Sequence, residues 1–427
     1  MQQSSITGFF KKAPRPYASR EDSNNDRQER RPAPYRPRGG SSSHSMRSES
    51  STSSTRGSSS TPSARGNHRG GKSPRNMELR KVAEETKAVL PALLKSLPGF
   101  GVSVSSLHDL NGLPPLDARK CPGHVLPSGD KDAGKIGTRI RVLDKDSFDA
   151  AIELQPDYTA RVHMSGQPAA AASSPPTPNA YISDDEEMDL DNLPLHPKPA
   201  PQPWDLSSKP AAPKSPPPQP TQFQSTRKPV AVLNLASERH PGGGWQTGAM
   251  AQEEALCYRS SLYRSLRRRF YPLPSLSVIH TPSVLLIRSS NSSGHKLYNL
   301  PTPDLPVTSV ISVAALRHPD LTPDGKGFAS AGQRAETKRK IRISLRVAAV
   351  NGHTKLVLGA LGCGVFANPA GDVAQCFLEV FREGEFQGGW WEDVVFAVMD
   401  NVKDGEGGRN GKGNFGEFWR VLDGKVV

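Results

Sequence analysis

The sequence predicts an α/β protein whose sheet is largely parallel and covered by helices on both faces. Three observations carry this. From Pro229 onward, short apolar runs alternate with helix-length segments, which is the rhythm of strand–helix–strand units. Two glycine-rich segments, 242–248 and 359–364, each follow an apolar run, and open α/β sheets bind ligands beyond the carboxyl ends of their strands. Only 35% of the 427 residues are hydrophobic and 40 are Pro, so one sizeable domain is expected rather than two or three.

The composition shifts mark the boundaries. Residues 1–75 are rich in Arg, Pro, Ser and Gly and read as a disordered tail. They hold 15 Lys and Arg against 5 Asp and Glu, so most of the net charge of +13 sits there. Such a tail suits a polyanion or a nuclear-import role, or is simply solvated. Residues 76–163 read as the first part of the domain. Residues 164–227 are a Pro-rich insertion with an acidic island from Ser183 to Asp191, and are expected to be disordered. Residues 228–427 form the core. The four cysteines (Cys121, Cys257, Cys363, Cys376) include no C-x-x-C pair, so no metal site is expected. There is no secretory signal and no apolar run near 18 residues. The expected protein is soluble and intracellular. A mitochondrial presequence is the rival for the Arg- and Ser-rich start, opposed by Glu21, Asp22, Asp26 and Glu29.

The elements follow in order. Leu79, Val82, Ala83, Thr86, Val89, Leu90, Leu93 and Leu94 recur at helical spacing, with Pro91 expected to kink or split the helix. Residues 138–143 alternate as a strand. Asp146 caps a short helix carrying Phe148, Ala151 and Leu154. Beyond the insertion come a strand at 230–235, a helix at 249–268, and strands at 284–287 and 307–314. A helix at 333–350 stops at Asn351-Gly352. A strand at 356–361, a helix at 372–381 and a strand at 394–399 complete the pattern.

Gly242-Gly243-Gly244 opens onto the helix that carries Gln252-Glu253-Glu254. A helix N-terminus attracts anions, so a phosphate-bearing substrate is expected. Glu253 and Glu254 could instead merely complement the helix dipole. Adjacent helical residues point roughly 100° apart, so the two acids are not a facing pair and should have different tasks. The second loop holds Gly362, Gly364 and Ala367 at Gly-x-Gly-x-x-Ala spacing. Asp400 follows Gly364 by 36 residues, beyond the roughly 20 of a dinucleotide-binding unit. Asn234, in an otherwise apolar strand, needs a partner or a ligand.

The 242–254 segment resembles the signature of microbial-type poly(ADP-ribose) glycohydrolases. The Gly362-Cys363-Gly364-Val365-Phe366 loop, the segment from Arg80 to Thr86, residues 138–154 and residues 388–400 are similar to other parts of that family. The resemblance covers 76–163 and 228–427. It implies a macrodomain-like three-layer α/β/α sandwich with a mixed, largely parallel sheet. It implies Glu254 as catalytic acid and Glu253 as the group that positions the ribose. Asn234, Gly242, Gly243, Gly244, Gln252, Gly362, Gly364, Val365 and Phe366 would bind the ligand. The amides of 364–366 would grip the diphosphate, and Asn234 the distal ribose. His240-Pro241 stands where the family often has Asn-Pro. No cofactor or metal is implied. A non-catalytic ADP-ribose reader and an oxidoreductase binding NAD at 362–367 are the other readings.

At the extreme N-terminus Gln3, Ile6, Phe9 and Phe10 fit the sliding-clamp (PCNA) interacting peptide pattern. One helical turn would place Ile6, Phe9 and Phe10 on one side, and Lys11-Lys12 suits an acidic clamp surface. A nuclear monomer acting on poly(ADP-ribose), with no membrane partner, is the resulting expectation.

Overall fold

The computed structural model describes residues 74–165, 227–402 and 405–427. The clamp motif (Gln3, Ile6, Phe9, Phe10), the tail and most of the 164–227 insertion, with Ser183, lie outside the described residues. Seven strands form one sheet: β1 (Ser106–Asp109), β2 (Arg141–Leu143), β3 (Ala231–Leu235), β4 (Ser277–Leu285), β5 (Val307–Val313), β6 (Lys355–Leu358) and β7 (Asp393–Ala397). Their order is β1-β4-β5-β3-β6-β7-β2. β5, β3, β6, β7 and β2 run parallel, and β4 is antiparallel to both β5 and β1. The helices are α1 (Pro74–Lys95), α2 (Ser147–Leu154), α3 (Ala160–Ser165), α4 (Gln252–Arg259), α5 (Ala331–Val350), α6 (Ala370–Phe381) and α7 (Asn414–Leu422).

The alternation of side chains along each strand divides the core. Ala231 and Leu233 of β3 pack with α5, α6 and α7 on one face, through Ile341, Val373 and Phe418. Val230 and Val232 pack with α1, α2 and α4 on the other, through Leu79, Phe148 and Leu256. The result is an α/β/α sandwich with a mixed sheet. Residues 72–427 cluster as one compact unit.

Several elements differ from the sequence reading, each for a local reason. α1 runs through Pro91 without a break. Proline removes one hydrogen bond near the end of the helix, and buried Leu90 keeps that turn on the core. The helix expected over 249–268 ends at Arg259. The Ser260 hydroxyl donates to the Leu256 carbonyl at 2.7 Å, the Ser260 backbone is extended, and the Ser261 hydroxyl accepts from Leu285 N–H. Serines that bond backbone locally compete with helix continuation. β4 starts at Ser277, well before 284, and runs through Pro282, which falls where the register with β5 shifts between Thr281 and Val284. Proline is tolerated at such an irregularity. β2 is shorter than expected. Thr138 and Ile140 instead donate to Val427 and Lys425 of the C-terminal segment. The short edge strand β1, α3 and α7 were not anticipated.

Candidate active site

β3 is central, between β5 and β6, and the loops leaving these three parallel strands converge. A Cβ on Gly359, just past β6, would lie 3.6 Å from Leu235 Cδ1 at the end of β3. One on Gly362 would lie 2.6 Å from Ala315 Cβ, just past β5.

The first loop leads from β3 into α4. A Cβ on Gly243 would stand 2.3 Å from Glu254 Oε1 and 3.2 Å from Glu253 Oε2. With φ at 60° as well, this position accepts only glycine. The backbone therefore passes directly over both acids. Trp245 is fully buried, its ring 4.7 Å from that of Tyr263, and forms the floor of the loop. At the end of the turn, Gly248 faces α1. A Cβ there would meet the Asn76 carbonyl oxygen at 2.0 Å.

The two adjacent acids occupy different environments. Glu253 is 2% exposed. Its Oε2 accepts from Ser237 N–H at 2.7 Å and its Oε1 from Asn234 Nδ2 at 3.3 Å. Burial pushes its carboxyl up to about 8 against the opposing Ser237 and Asn234 bonds, and the Glu254 charge adds to the rise. At neutral pH Glu253 therefore holds a proton. Glu254 is 9% exposed. Its Oε1 accepts from Gly244 N–H at 2.9 Å and its Oε2 from Ala251 N–H at 3.1 Å. One acid is sunk in the sheet; the other is strapped to the underside of the glycine loop.

Asn234 is fully buried. It pairs in register with Ser312 of β5, to whose hydroxyl its Nδ2 donates at 3.0 Å. Its Oδ1 is buried and has no partner among the described residues, which leaves an unsatisfied acceptor beside Glu253. Gln252 is arranged differently. Its Oε1 accepts from Leu235 N–H at 2.8 Å, and its Nε2 donates to the Leu233 carbonyl at 2.8 Å and the Ser147 hydroxyl at 3.2 Å. The amide is spent locking the start of α4 onto β3 and α2, so the structure does not present it to a ligand.

The second loop follows β6. Asn368 is buried and gathers it: its Nδ2 donates to the carbonyls of Leu316, Gly362 and Phe366. Gly362, with φ at 75°, would carry a Cβ only 2.4 Å from Asn368 Nδ2. Asn414 at the start of α7 donates to the Cys363 carbonyl at 3.1 Å. Among the described residues, the N–H groups of Gly364, Val365 and Phe366 have no protein acceptor. Val365 is 70% exposed. Successive free amides in a tight loop can form an anion-binding concavity. Ser237, Ser312, Asn368 and Arg317, which stacks on Phe366, were not picked out from the sequence. The Asn234–Ser312 pairing depends on strand register, which residue spacing does not give. Among the described residues, no group of three or more His, Cys, Asp or Glu is arranged to hold a metal ion.

Fold and site together define an α/β protein with an acid pair under the glycine loop after β3, and a second glycine loop with free amides after the neighbouring strand β6. Residues 219–289, spanning β3, the glycine loop, α4 and β4, match the family model for the microbial-type PARG catalytic domain. Solved structures similar to the chain include the poly(ADP-ribose) glycohydrolase (PARG) of Thermomonospora curvata. It is 22% identical, with 81% of this chain and 99% of that chain covered and a TM-score of 0.48. They also include the PARG of Deinococcus radiodurans in complex with ADP-ribose. It is 24% identical, with 76% and 98% covered and a TM-score of 0.45. No curated protein matches the chain.

Proposed function

We propose that the chain is a poly(ADP-ribose) glycohydrolase that hydrolyses ribose–ribose O-glycosidic bonds and releases ADP-ribose. The observation that carries this reading is the Glu254 carboxyl, fastened by the Gly244 N–H directly beneath the glycine triplet. Glu254 passes a proton to the glycosidic oxygen as the bond from the ribose C1 breaks. Water then adds to C1, and its proton returns to Glu254. Glu253, neutral at pH 7, offers a hydroxyl to the sugar without adding negative charge beside the phosphates. The free Asn234 Oδ1 accepts from a ribose hydroxyl. The amides of Gly364, Val365 and Phe366 receive the diphosphate. The match of 219–289 to the family model supports the reading.

The substrate is cut by a monomer in the nucleus, and the tail binds the sliding clamp PCNA through Gln3, Ile6, Phe9 and Phe10. This would hold the enzyme at replicating or repairing DNA. The charge of the tail and the isolation of these hydrophobic residues support the tether.

Two experiments test these statements. Release of ADP-ribose from purified polymer is compared for wild type and Glu254→Gln. A loss of at least about 100-fold is expected for removing a positioned general acid; undiminished turnover sinks the assignment. Binding of PCNA is measured for the full chain and its Phe9→Ala/Phe10→Ala form. Equal binding by both, or none by either, removes the tether.

A further inference from the structure

Beyond β5 the chain passes through Leu316, Arg317 and His318 along the rim of the second loop. The Leu316 carbonyl accepts from Asn368 Nδ2 at 2.7 Å, and His318 N–H donates to the Phe366 carbonyl at 2.9 Å. Arg317 is thus stapled to the loop on both sides. Its guanidinium lies 5.3 Å from the centroid of the Phe366 ring. It has no carboxylate partner among the described residues, unlike Arg334, Arg342 and Arg346, which all pair with acids. An exposed arginine ordinarily wanders through solvent at a substantial entropy cost when ordered. Here the backbone is fixed and the Phe366 ring holds the guanidinium against the loop that carries the free amides of Gly364, Val365 and Phe366.

We propose that Arg317 is a phosphate-binding residue that supplies net positive charge to the diphosphate cradle. The proposal rests on the reading that the site takes ADP-ribose. Three backbone amides offer dipoles but no net charge, and the neighbouring acid pair supplies no cation. A diphosphate bound there needs a cation. A guanidinium is planar, always charged and suited to bidentate bonds with phosphate oxygens.

The test is calorimetric titration of ADP-ribose into wild type, Arg317→Met and Arg317→Ala, at low and high salt. Methionine keeps an apolar stem on the Phe366 ring and removes the charge together with its N–H donors. Melting temperatures check that each variant is folded. Both variants should bind ADP-ribose roughly tenfold or more weakly at low salt, as expected for a lost charge-assisted hydrogen bond. The gap to wild type should narrow as salt screens the charge. Arg317→Met binding within twofold of wild type overturns the proposal. So does a loss that is the same at both salt concentrations, because that would mark a packing role. Wild type that fails to bind ADP-ribose overturns the underlying reading of the site as well, and so is distinguishable from failure of the Arg317 assignment alone.

Discussion

Replacing Glu253 by Gln should make the protein more stable and less active, with a stability gain that grows as pH rises. Glu253 is almost fully buried, and burial raises its carboxyl from 4.5 to about 8. A group shifted in this direction favours the fold below the unfolded pKa. That benefit is lost as pH climbs toward the folded value, because the fold must hold a proton that the unfolded chain releases. At 1.36 kcal/mol per unit, holding it at pH 7 costs about 3 kcal/mol, against about 1 kcal/mol at pH 5. Glutamine keeps the shape, can accept the Ser237 N–H bond, and has no proton to hold. Urea unfolding of both proteins at the two pH values reads the difference directly from the midpoints. A gain about 2 kcal/mol larger at pH 7 than at pH 5 is expected. An equal gain at both pH values, or a net loss at pH 7, would refute the argument, because Glu253 would then be ionised in the folded protein. Activity on polymer should fall in the same variant, since active sites commonly hold strained groups at the expense of stability.

Two further outcomes follow from the same geometry. Gly243→Ala should abolish hydrolysis while leaving a folded protein, because the added methyl group collides with the Glu254 carboxyl at 2.3 Å. Near-wild-type turnover in a folded variant would show that the loop does not lie over the acid. Acid should destabilise the fold through the buried histidines His163, His280 and His353, which burial lowers from 6.5 to about 4, 3 and 4. Groups lowered in this way are neutral in the fold and take up protons on unfolding. Stability is therefore complete above about 6.5 and is lost as pH falls toward 4, by up to about 2 kcal/mol per group at pH 5. Melting temperatures at pH 7 and pH 5 check this, and replacing all three should flatten the acid limb.

The sequence was most legible where periodicity and local chemistry agreed. The Asp146 cap lies where the spacing placed it, with the carboxylate accepting from Phe148 N–H and Asp149 N–H. The strand leading to the glycine triplet and the long helix before Asn351-Gly352 also appear. What escaped depends on distant contacts. The stop of α4 comes from serines that bond across to β4. The short β1 strand exists because β4 supplies its partner. Helix geometry alone separated Glu253 from Glu254. It could not say which one would be sunk against Ser237 and Asn234, since that requires the strand-end turn to be folded. The same limit applied to Gln252. A polar residue in a loop-flanking triplet reads as a ligand contact until the unpaired amide and carbonyl of β3 beside it are visible. Arg317 gave no signal, because nothing in its neighbours announces that Asn368 will fasten it to a ring 49 residues away.

The first turn of α1 sets a different kind of boundary. Its Asn76 carbonyl leaves no room for a side chain at Gly248, and Thr86 further along donates to the Tyr258 carbonyl at the far end of α4. The wall behind the reactive loop thus comes from a stretch of chain that contributes none of the proposed chemistry. A fragment cut to residues 228–427 would keep every proposed reacting group and lose the surface they are pressed against. That mechanical backing begins with α1.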